Sequence, residues 1–378
     1  MKLGIEVFLE KAAADYSHQR IGLVTNLTGV NRQLVPTIDL LYNHEHIHLT
    51  ALYGPEHGLR GDAKEGEHVG FATDSITGLP VYSLYGETRK PTPDMLSAID
   101  VMVFDLQDIG SRYYTYIYTM SHVMEACGEQ GIPFIVLDRP NPINGVTLEG
   151  NLVDEDCRSF VGLYPIPVRH RMTIGELAQL FRAEFGISCE LRVIPMEGWS
   201  REMHYDETGL LWVPPSPNAS GIDMCLLYPG TCLVEGTNLS EGRGTIKPFE
   251  MIGAPYVNGY QLAKELNTRG LQGVIARPVS FVPTYQKHQG VRCEGVQLHV
   301  TDRNALHSYQ VGLQLLETVA DLYPDQFEFS QNSFWDHLAG TKQLKSYIEQ
   351  GTTKDYLAAC DEVLMEFRNR STAYLLYK

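Results

Sequence analysis

The sequence predicts an α/β fold, with a Rossmann-like, mainly parallel sheet in an N-terminal domain and a smaller α+β C-terminal auxiliary domain. Short β-branched runs alternate with helical patterns in the first half of the chain, as in βαβ units. At 378 residues the chain exceeds the usual size of a single core, so two domains are expected. Around Pro214 the sequence changes to VPPSPNASG and then to a Gly-rich stretch, which divides it into residues 1–213 and 214–378.

Hydrophobic periodicity predicts the elements in chain order. Strands of the N-terminal part are predicted at 21–25, 49–52, 101–105, 134–138 and 191–194. Helices are predicted near 35–42, 95–98, 116–130 and 173–185. Thr173, followed three residues later by Glu176, forms a capping box at the start of the last helix. The C-terminal part has a predicted strand at 295–301 and helices near 306–322 and 356–369.

Composition restricts the class of partner. With 43% hydrophobic and 20% charged residues, the chain is an ordinary globular protein. A formal net charge of −16 argues against nucleic acid or an anionic membrane as partner, because both need a basic surface. The N-terminus lacks the apolar run of a signal peptide, no stretch could span a bilayer, and the seven cysteines form no CxxC pair. We therefore expect a cytoplasmic protein.

Polar residues stand at the ends of several predicted strands. In an open α/β sheet, ligands bind beyond the carboxyl ends of the strands. YGPEHG at 53–58, DLQD at 105–108 and DRPNP at 138–142 each end or follow a predicted strand. We expect these three loops to meet at one edge of the sheet.

Acidic residues in such loops are candidates for acid–base chemistry. Glu56 is held between Pro55 and the Gly-flanked His57, so a stiff backbone would fix the direction of its side chain. The alternative is a solvated glutamate in a loop turn. Glu149, in LEG, could lie over a cleft, and a surface glutamate is the alternative.

Charged neighbours of these loops have both functional and structural interpretations. Asp105 or Asp108 could hold a ligand hydroxyl or orient Arg112, and an ion pair with Arg112 is the structural alternative. Asp138 and Arg139 could form a preorganised polar pair, or a buried pair that only shapes the loop.

Two further groups could bind a polar ligand. Asn141 lies between two prolines and could present its amide. Arg169 and His170 precede the N-cap Thr173, and an arginine beside a helix N-terminus suits a carboxylate. A solvated basic cluster is the alternative.

The segment EGTNLSEGRGT at 235–245 combines small residues, which let the backbone approach a ligand, with polar side chains. Four tyrosines could stack on a flat ligand, and we expect one or two of them in the site: Tyr113, Tyr114, Tyr116 and Tyr118.

No cofactor and no metal are predicted. His44, His46 and His48 alternate as on one face of a strand, but no carboxylate or thiolate accompanies them at the spacing of a zinc site. TNLTGVN stands after the first strand in place of GxGxxG, and the sequence has no P-loop lysine and no GxSxG. The sheet therefore predicts neither a bound nucleotide nor a serine hydrolase.

Taken together, the motifs resemble a known family. GPEHGLRG, YSLYG, FDLQDIGSRYYTYIYTM, LDRPNP, LEG, SFVGLYPIPVRH, MTIGELA, PSPN, YPGTCLVEGTNLSEGRGTIKPFE and GAPY stand in the order of the exo-β-N-acetylmuramidase family, formerly a domain of unknown function. The blocks cover about residues 20–260, with weaker matching to the end. Two blocks depart from the family pattern, because Asn151 replaces a proline after Glu149-Gly150 and Ala219 follows Asn218 where relatives read PSPNMP.

The resemblance implies a glycosidase of peptidoglycan turnover and cell-wall recycling, with a cleft between its two domains. The implied reaction releases non-reducing-end N-acetylmuramic acid (MurNAc) from β-1,4-linked fragments such as MurNAc-GlcNAc, a small saccharide substrate. Glu56 is implied as the general acid and Glu149 as its partner, because glycosidases usually use two carboxyl groups. The implied substrate-binding residues are His57, Asp108, Arg112, Tyr114, Asp138, Arg139, Asn141, Arg169, His170, Asn218, Glu235, Asn238, Glu241 and Arg243.

Further expectations follow from this resemblance. Arg169 or Arg243 should bind the lactyl carboxylate, because a guanidinium can do so bidentately. Several relatives are exported, so the missing signal peptide predicts action on imported fragments. A noncatalytic muropeptide- or sugar-binding protein is the main alternative, and an amidase, esterase or phosphate-handling enzyme lacks the motifs it would need. The sequence does not indicate an oligomeric state.

Overall fold

The structure contains two β-sheets flanked by helices. The computed structural model describes residues 1–55, 59, 72–86, 88–331 and 333–378. Within these residues, a seven-stranded sheet belongs to the first half of the chain and a three-stranded antiparallel sheet to the second. The predicted α/β fold is confirmed. None of the described helices is long and apolar enough to cross a membrane.

The larger sheet has its first strand in the middle. Its strands are β1 Arg20–Thr25, β2 His48–Gly54, β3 Ala72–Thr73, β4 Pro80–Ser83, β5 Val101–Asp105, β6 Phe134–Leu137 and β7 Leu191–Ile194. Their order is β3-β4-β2-β1-β5-β6-β7, and only the β3–β4 pair is antiparallel. The chain leaves β1 towards β2 and later returns to its other side with β5. The crevice between β1 and β5 is therefore the expected place for a ligand.

Alternating side chains of these strands build a core on each face of the sheet. In β5, Val101 and Val103 pack on one face while Met102 and Phe104 pack on the other. Every residue of β5 is buried, as expected for a central strand of a parallel sheet.

Helices cover both faces of the larger sheet. Residues of α1 Gly4–Lys11 and α2 Thr37–Tyr42 pack on one face, and residues of α3 Pro93–Leu96, α4 Tyr116–Gln130 and α5 Ile174–Glu184 pack on the other. The predicted capping box starts α5: Glu176 N donates to Thr173 Oγ1 at 3.3 Å, and Thr173 N donates to the Glu176 carboxylate at 3.0 Å.

The second half of the chain is joined to the first by shared cores. Its small sheet has the order β8-β10-β9, with β8 Met251–Ala254, β9 Val274–Phe281 and β10 Cys293–Val300. Its helices are α6 Ile222–Thr231, α7 Gly259–Thr268, α8 Ser308–Leu322, α9 Phe334–Ala339, α10 Leu344–Glu349 and α11 Thr353–Ser371. Ile109, Tyr113, Ile143 and Val168 of the first half pack into the core of this part. Conversely, Phe367 of α11 packs with α4 and α5.

The structure differs from the predicted elements mainly where segments are short or weakly periodic. Helix α4 has the predicted bounds, whereas β3, β4, β8, β9 and helices α1, α6, α7, α9 and α10 were not predicted. The interpretation that His44, His46 and His48 share a strand face is wrong. Strand β2 begins only at His48, and the other two histidines lie in the preceding turn.

Candidate functional site

A cavity of about 490 Å³ lies between the loops at the carboxyl edge of the larger sheet and the second half of the chain. Small-molecule sites usually have volumes of about 300 to 1,000 Å³. Aromatic rings form much of the wall: Tyr85, Tyr113, Tyr114, Tyr116, Phe160, Tyr228, Phe249 and Phe334. The charged lining residues among the described ones are Glu235, Glu241, Arg243 and Lys287. Flat apolar faces are thus combined with charges of both signs.

The four charged side chains are joined by three ion pairs. Arg243 donates from Nε and Nη2 to Glu235 Oε1 at 2.9 and 2.6 Å. Lys287 Nζ lies 3.0 Å from Glu241 Oε2, and Arg243 Nε lies 3.5 Å from Glu241 Oε1. Burial raises the pKa of Glu235, although Arg243 acts in the opposite direction. A raised pKa favours the protonated form of a carboxyl group, which general acid catalysis requires.

The aromatic wall is packed edge to face. The ring of Tyr114 lies 4.9 Å from that of Tyr116 and 6.5 Å from that of Tyr228, and Tyr228 lies 4.7 Å from Phe249. The hydroxyls of Tyr113 and Tyr114 are buried and make no hydrogen bond of good geometry to the described residues, although Arg112 is near the first and Ser216 and Tyr116 are near the second. A buried hydroxyl without a partner is costly, so these two are candidate donors to a ligand.

Hydrogen bonds between neighbouring loops fix Tyr116 in this wall. Asn26, just after β1, donates from Nδ2 to the Tyr116 hydroxyl at 2.8 Å, and Tyr116 donates to Pro215 O at 2.6 Å. Thr28 donates to Asn26 Oδ1 at 2.6 Å and accepts from Gln107 N at 3.0 Å. The loops after β1 and β5 are thereby joined beneath the cavity.

Part of the set implied by the family resemblance lies at this cavity: Tyr114, Asn218, Glu235, Glu241 and Arg243. Asn218 Oδ1 accepts from the Tyr285 hydroxyl at 2.9 Å. Asn238 does not line the cavity. Its Oδ1 accepts from Tyr256 and its Nδ2 donates to Gln326 O, each at 2.7 Å. Of the four predicted tyrosines, Tyr118 alone is absent from the lining and donates to the Arg112 carbonyl at 2.7 Å.

Arg139 connects three loop ends of the sheet. It donates from Nε and Nη2 to the Asp105 carboxylate at 2.6 and 2.9 Å, and from Nη2 to Val30 O at 2.8 Å. The loops after β1, β5 and β6 therefore meet at one edge, whereas the predicted third loop at 53–58 is described only to Pro55. The alternative in which Asp105 or Asp108 forms an ion pair with Arg112 is not observed, because Arg112 bonds Asn151 and Ala339. Asp138 and Arg139 do not form the expected side-chain pair either. Neighbours in an extended chain point to opposite sides, so Arg139 reaches across to the next strand instead.

Asp138 holds the start of α5. Its Oδ1 accepts from Gly175 N at 2.8 Å, and its Oδ2 accepts from the Thr173 and Tyr377 hydroxyls at 2.8 and 2.6 Å. Burial raises the pKa of Asp138 to about 7. The sequence suggested that the carboxylate of a ligand could bind at this helix N-terminus, but the side chain of Asp138 occupies that position.

Glu149 and Arg169 are buried against each other. Arg169 donates from Nη1 to Glu149 Oε1 at 2.8 Å and from Nη2 to Ile143 O. Glu149 Oε2 accepts from Tyr309 N at 2.9 Å. Arg169 is 0% exposed and Glu149 6% exposed, and neither lines the cavity. This geometry favours a structural role for the pair.

Asp108 and His170 lie close to the same interior region. His170 Nε2 is 3.4 Å from Asp108 Oδ2, which also accepts from Gly110 N at 2.7 Å. His170 is 0% exposed, so the predicted alternative of a solvated basic cluster with Arg169 is wrong.

Arg112 and Asn141 bind backbone groups. Arg112 donates to Ala339 O at 2.6 Å and to Asn151 O, which joins the first half of the chain to α9. Asn141 Nδ2 donates to Met172 O at 3.0 Å. In the part of the chain that the structure describes, no three His, Cys, Asp or Glu side chains are grouped to hold a metal ion.

Glu56 and His57 lie outside the described residues, and their roles remain predictions. The structure describes the chain up to Pro55, directly after β2. Because β2 pairs in parallel with β1, Pro55 stands at the same carboxyl edge of the sheet as the loop after β1.

Several lining residues were not predicted, among them Tyr228, Phe249, Gln286 and Lys287. Gln286 and Lys287 belong to the segment that connects β9 to β10. Because strand β9 was not predicted, this segment was not recognised as a loop between two strands. The polar run YQKHQG between two apolar stretches was the available signal, and it is typical of a surface loop as much as of a site.

Comparisons with known proteins match the chain almost from end to end. Residues 21–223 match the family described as exo-beta-N-acetylmuramidase NamZ, N-terminal, and residues 226–377 match its C-terminal counterpart. The peptidoglycan beta-N-acetylmuramidase NamZ of Bacillus subtilis (strain 168) is 50% identical over 378 residues, which are 100% of this chain and 91% of that protein.

Two solved structures are also similar. Both are DUF1343 family proteins from Bacteroides fragilis NCTC 9343, with TM-scores of 0.93 and 0.79 and sequence identities of 41% and 29%. Each comparison covers 100% of this chain and 99% of the other. The chain therefore belongs to the exo-β-N-acetylmuramidase NamZ family.

Proposed function

We propose that the protein is an exo-acting glycosidase that releases N-acetylmuramic acid from the non-reducing end of β-1,4-linked peptidoglycan fragments such as MurNAc-GlcNAc. The match of both halves of the chain to one family carries this proposal. It is supported by 50% identity to a relative named as a peptidoglycan muramidase. The cavity supports it further, because aromatic faces suit sugar rings and acidic groups suit glycoside hydrolysis.

Arg243 is our candidate for binding the lactyl carboxylate of the sugar. Its side chain lines the cavity and is 14% exposed, whereas Arg169 is enclosed with Glu149. Tyr114, Asn218 and Glu241 would then bind other polar groups of the substrate. An N-acetylglucosamine glycoside, which lacks the carboxylate, should be a much poorer substrate. Equal rates on both glycosides would contradict this role of Arg243.

Glu56 is our candidate for the general acid that protonates the glycosidic oxygen. Its place directly after Pro55, at the end of β2, and the family motif GPEHG support this assignment. The family resemblance also implies Glu149 as the second catalytic carboxyl group. Its buried ion pair with Arg169 makes this role less favourable. Glu235 and Glu241 are carboxyl groups that line the cavity, so they are the stronger candidates for that role.

The direct test is release of N-acetylmuramic acid from MurNAc-GlcNAc by the purified protein, compared with two variants. Glu56→Gln should abolish turnover and keep binding, because the amide cannot donate an acidic proton. Glu366→Gln, at an exposed position of α11, is the matched control and should behave as the wild type. Binding without release by the wild type would favour a noncatalytic sugar-binding protein, and near-normal activity of Glu56→Gln would remove Glu56 from the role.

We further propose that the protein works in the cytoplasm, on imported fragments during cell-wall recycling. All seven cysteines are buried free thiols, which is typical of proteins in a reducing compartment. Muramidase activity should then be recovered with the cytosolic fraction of the cells. Recovery of the activity from the culture medium would contradict the proposal.

A further inference from the structure

Lys287 occupies a central place in the charged part of the cavity. Its Nζ donates to three carbonyl oxygens, those of Val234, Glu235 and Leu239, each at 3.0 Å. The same Nζ lies 3.0 Å from Glu241 Oε2. The ammonium group therefore holds the backbone on both sides of residues 236–238 and one of the acids of the cavity.

The backbone on both sides of Lys287 adopts a strained conformation. Gln286 and His288 have φ values of 65° and 58°, in the left-handed region that non-glycine residues rarely adopt. Such a conformation is unfavourable for a residue with a side chain, because the Cβ atom comes too close to the backbone. Strain of this kind persists where the surrounding structure enforces it, and it is concentrated at functional sites.

Hydrogen bonds fasten the segment between β9 and β10 to the loops of the cavity. Thr284 N donates to Gly244 O at 3.0 Å, and the Tyr285 hydroxyl donates to Asn218 Oδ1 at 2.9 Å. His288 Nε2 lies 2.7 Å from Asn238 O, to which it donates. These contacts place a loop of the small sheet beside residues that were predicted to bind substrate.

Lys287 supplies one of the two positive charges among the described residues that line the cavity. Glu235 is paired with Arg243 at 2.6 Å and Glu241 with Lys287 at 3.0 Å, so the described lining residues carry two acids and two bases. Without Lys287, the described lining residues would carry two acids and one base. A substrate that carries its own carboxylate would then meet net negative charge in a partly buried site, where repulsion is stronger than in water.

We infer that Lys287 is a specificity-determining residue, which positions Glu241 and neutralises it so that the cavity accepts a sugar bearing a carboxylate. The inference rests on the proposed function, because it concerns how the acidic sugar is recognised. Lys287 acts here through Glu241 and the 234–239 backbone, as a positioning residue and not as a catalytic one.

The test compares Lys287→Met with a matched control on two substrates, one with a negatively charged lactyl group and one in which a methyl ester removes that charge. The substrates are a chromogenic N-acetylmuramic acid glycoside and its lactyl methyl ester. Lys247→Met is the control, because Lys247 pairs with Glu250 in the same part of the chain but does not line the cavity. We expect Lys287→Met to raise KM for the acid about tenfold relative to KM for the ester, because only the acid is repelled by a Glu241 that has lost its counter-ion.

Two further outcomes show whether the effect of Lys287→Met comes from the lost positive charge or from a disturbed loop structure. Lys287→Arg keeps the positive charge and should restore most of the preference for the acid. An equal rise in KM for acid and ester in Lys287→Met, or no rise for either, would overturn the inference. If Lys287→Met fails to fold, the same comparison is made with Lys287→Gln, which keeps hydrogen-bonding capacity without the charge.

Failure of the proposed function can be told apart from failure of this inference. If the wild type hydrolyses neither glycoside, calorimetric binding of free N-acetylmuramic acid and of its methyl ester replaces kinetics. A preference of the wild type for the acid that is lost in Lys287→Met would support the inference even then. The absence of such a preference in the wild type would overturn it.

Discussion

The buried ion pair between Glu149 and Arg169 allows a test of whether Glu149 has a structural or a catalytic role. Glu149→Gln keeps the shape of the side chain but removes the counter-ion of a guanidinium that is 0% exposed. Breaking one side of a buried ion pair typically costs about 3 to 5 kcal/mol. We expect a lower free energy of unfolding in urea, with near-normal kcat for the folded protein.

The exposed Glu155 supplies the control for that measurement. Glu155→Gln should leave both the free energy of unfolding and kcat unchanged. A large loss of kcat in Glu149→Gln, with unfolding as in the wild type, would instead assign Glu149 to catalysis.

The raised pKa of Asp138 makes the stability of the folded protein depend on pH. Burial raises its pKa from 3.8 to about 7, and it faces Glu176, Thr173 and Tyr377. The folded state thus binds the proton more tightly than the unfolded one. The resulting stabilisation is complete below about pH 3.8 and is lost as the pH rises through about 7. For the wild type this corresponds to a loss of about 2 to 3 kcal/mol between pH 5 and 8.

Asp138→Asn cannot titrate, so its free energy of unfolding should lack this pH-dependent loss. Urea unfolding of wild type and variant at several pH values between 5 and 8 measures the difference. Asp361→Asn, at an exposed position of α11, should keep the wild-type slope. Parallel curves for wild type and Asp138→Asn would contradict a raised pKa at this residue.

At the scale of single residues, the sequence predicted which residues are polar and buried better than it predicted their partners. Asp105, Arg139 and Asp138 were identified, but their partners belong to other strands or to the C-terminus, where Tyr377 bonds Asp138. Periodicity carries no information on such distant contacts. Lys287 was missed for the same reason, because its partners lie 46 to 53 positions away in the chain.

Single elements were predictable in proportion to their periodicity. Helix α4 and strands β1 and β5 bury long regular patterns, and the capping box marks the start of α5. Strand β3 has two residues and β4 has four, which is too short for alternation to be visible. Strand β9 alternates, but it contains Pro278, which argues against a strand except at a sheet edge.

Strand β9 is indeed an edge strand, and Asn267 of α7 protects its free edge. The side-chain amide donates to Ala276 O at 2.8 Å and accepts from Ala276 N at 2.9 Å, as a neighbouring strand would. Asn267→Ala should lower the free energy of unfolding by about 1 to 3 kcal/mol, because two backbone groups lose their partner. It should also increase self-association in size-exclusion chromatography.

Gln272→Ala is a suitable control for the edge. Gln272 is exposed in the turn before β9, and among the described residues its amide bonds only the local Gly270 carbonyl, at 3.0 Å. This variant should unfold and elute as the wild type does. Unchanged elution and stability of Asn267→Ala would show that the edge needs no such protection.

At the scale of the whole molecule, the proposed division into residues 1–213 and 214–378 separates two sequence patterns but not two independent cores. Ile143 and Val168 of the first part pack with α6 and α8, while Phe367 and Tyr377 of the second part pack against the larger sheet. Arg112 adds a buried link to Ala339 O at 2.6 Å. Cutting the chain between the two parts would expose apolar surface on each of them.

The two parts should therefore unfold together. We expect a single thermal transition in which the calorimetric enthalpy equals the van't Hoff enthalpy. Residues 1–213 expressed alone should show no cooperative transition, because they lack the C-terminal segment that bonds Asp138 and leave Ile143 without its partners. Co-expression with residues 214–378 should recover a folded complex if the shared core drives assembly. Two resolved transitions, or a first part that folds cooperatively by itself, would instead mean that the shared core contributes little to stability.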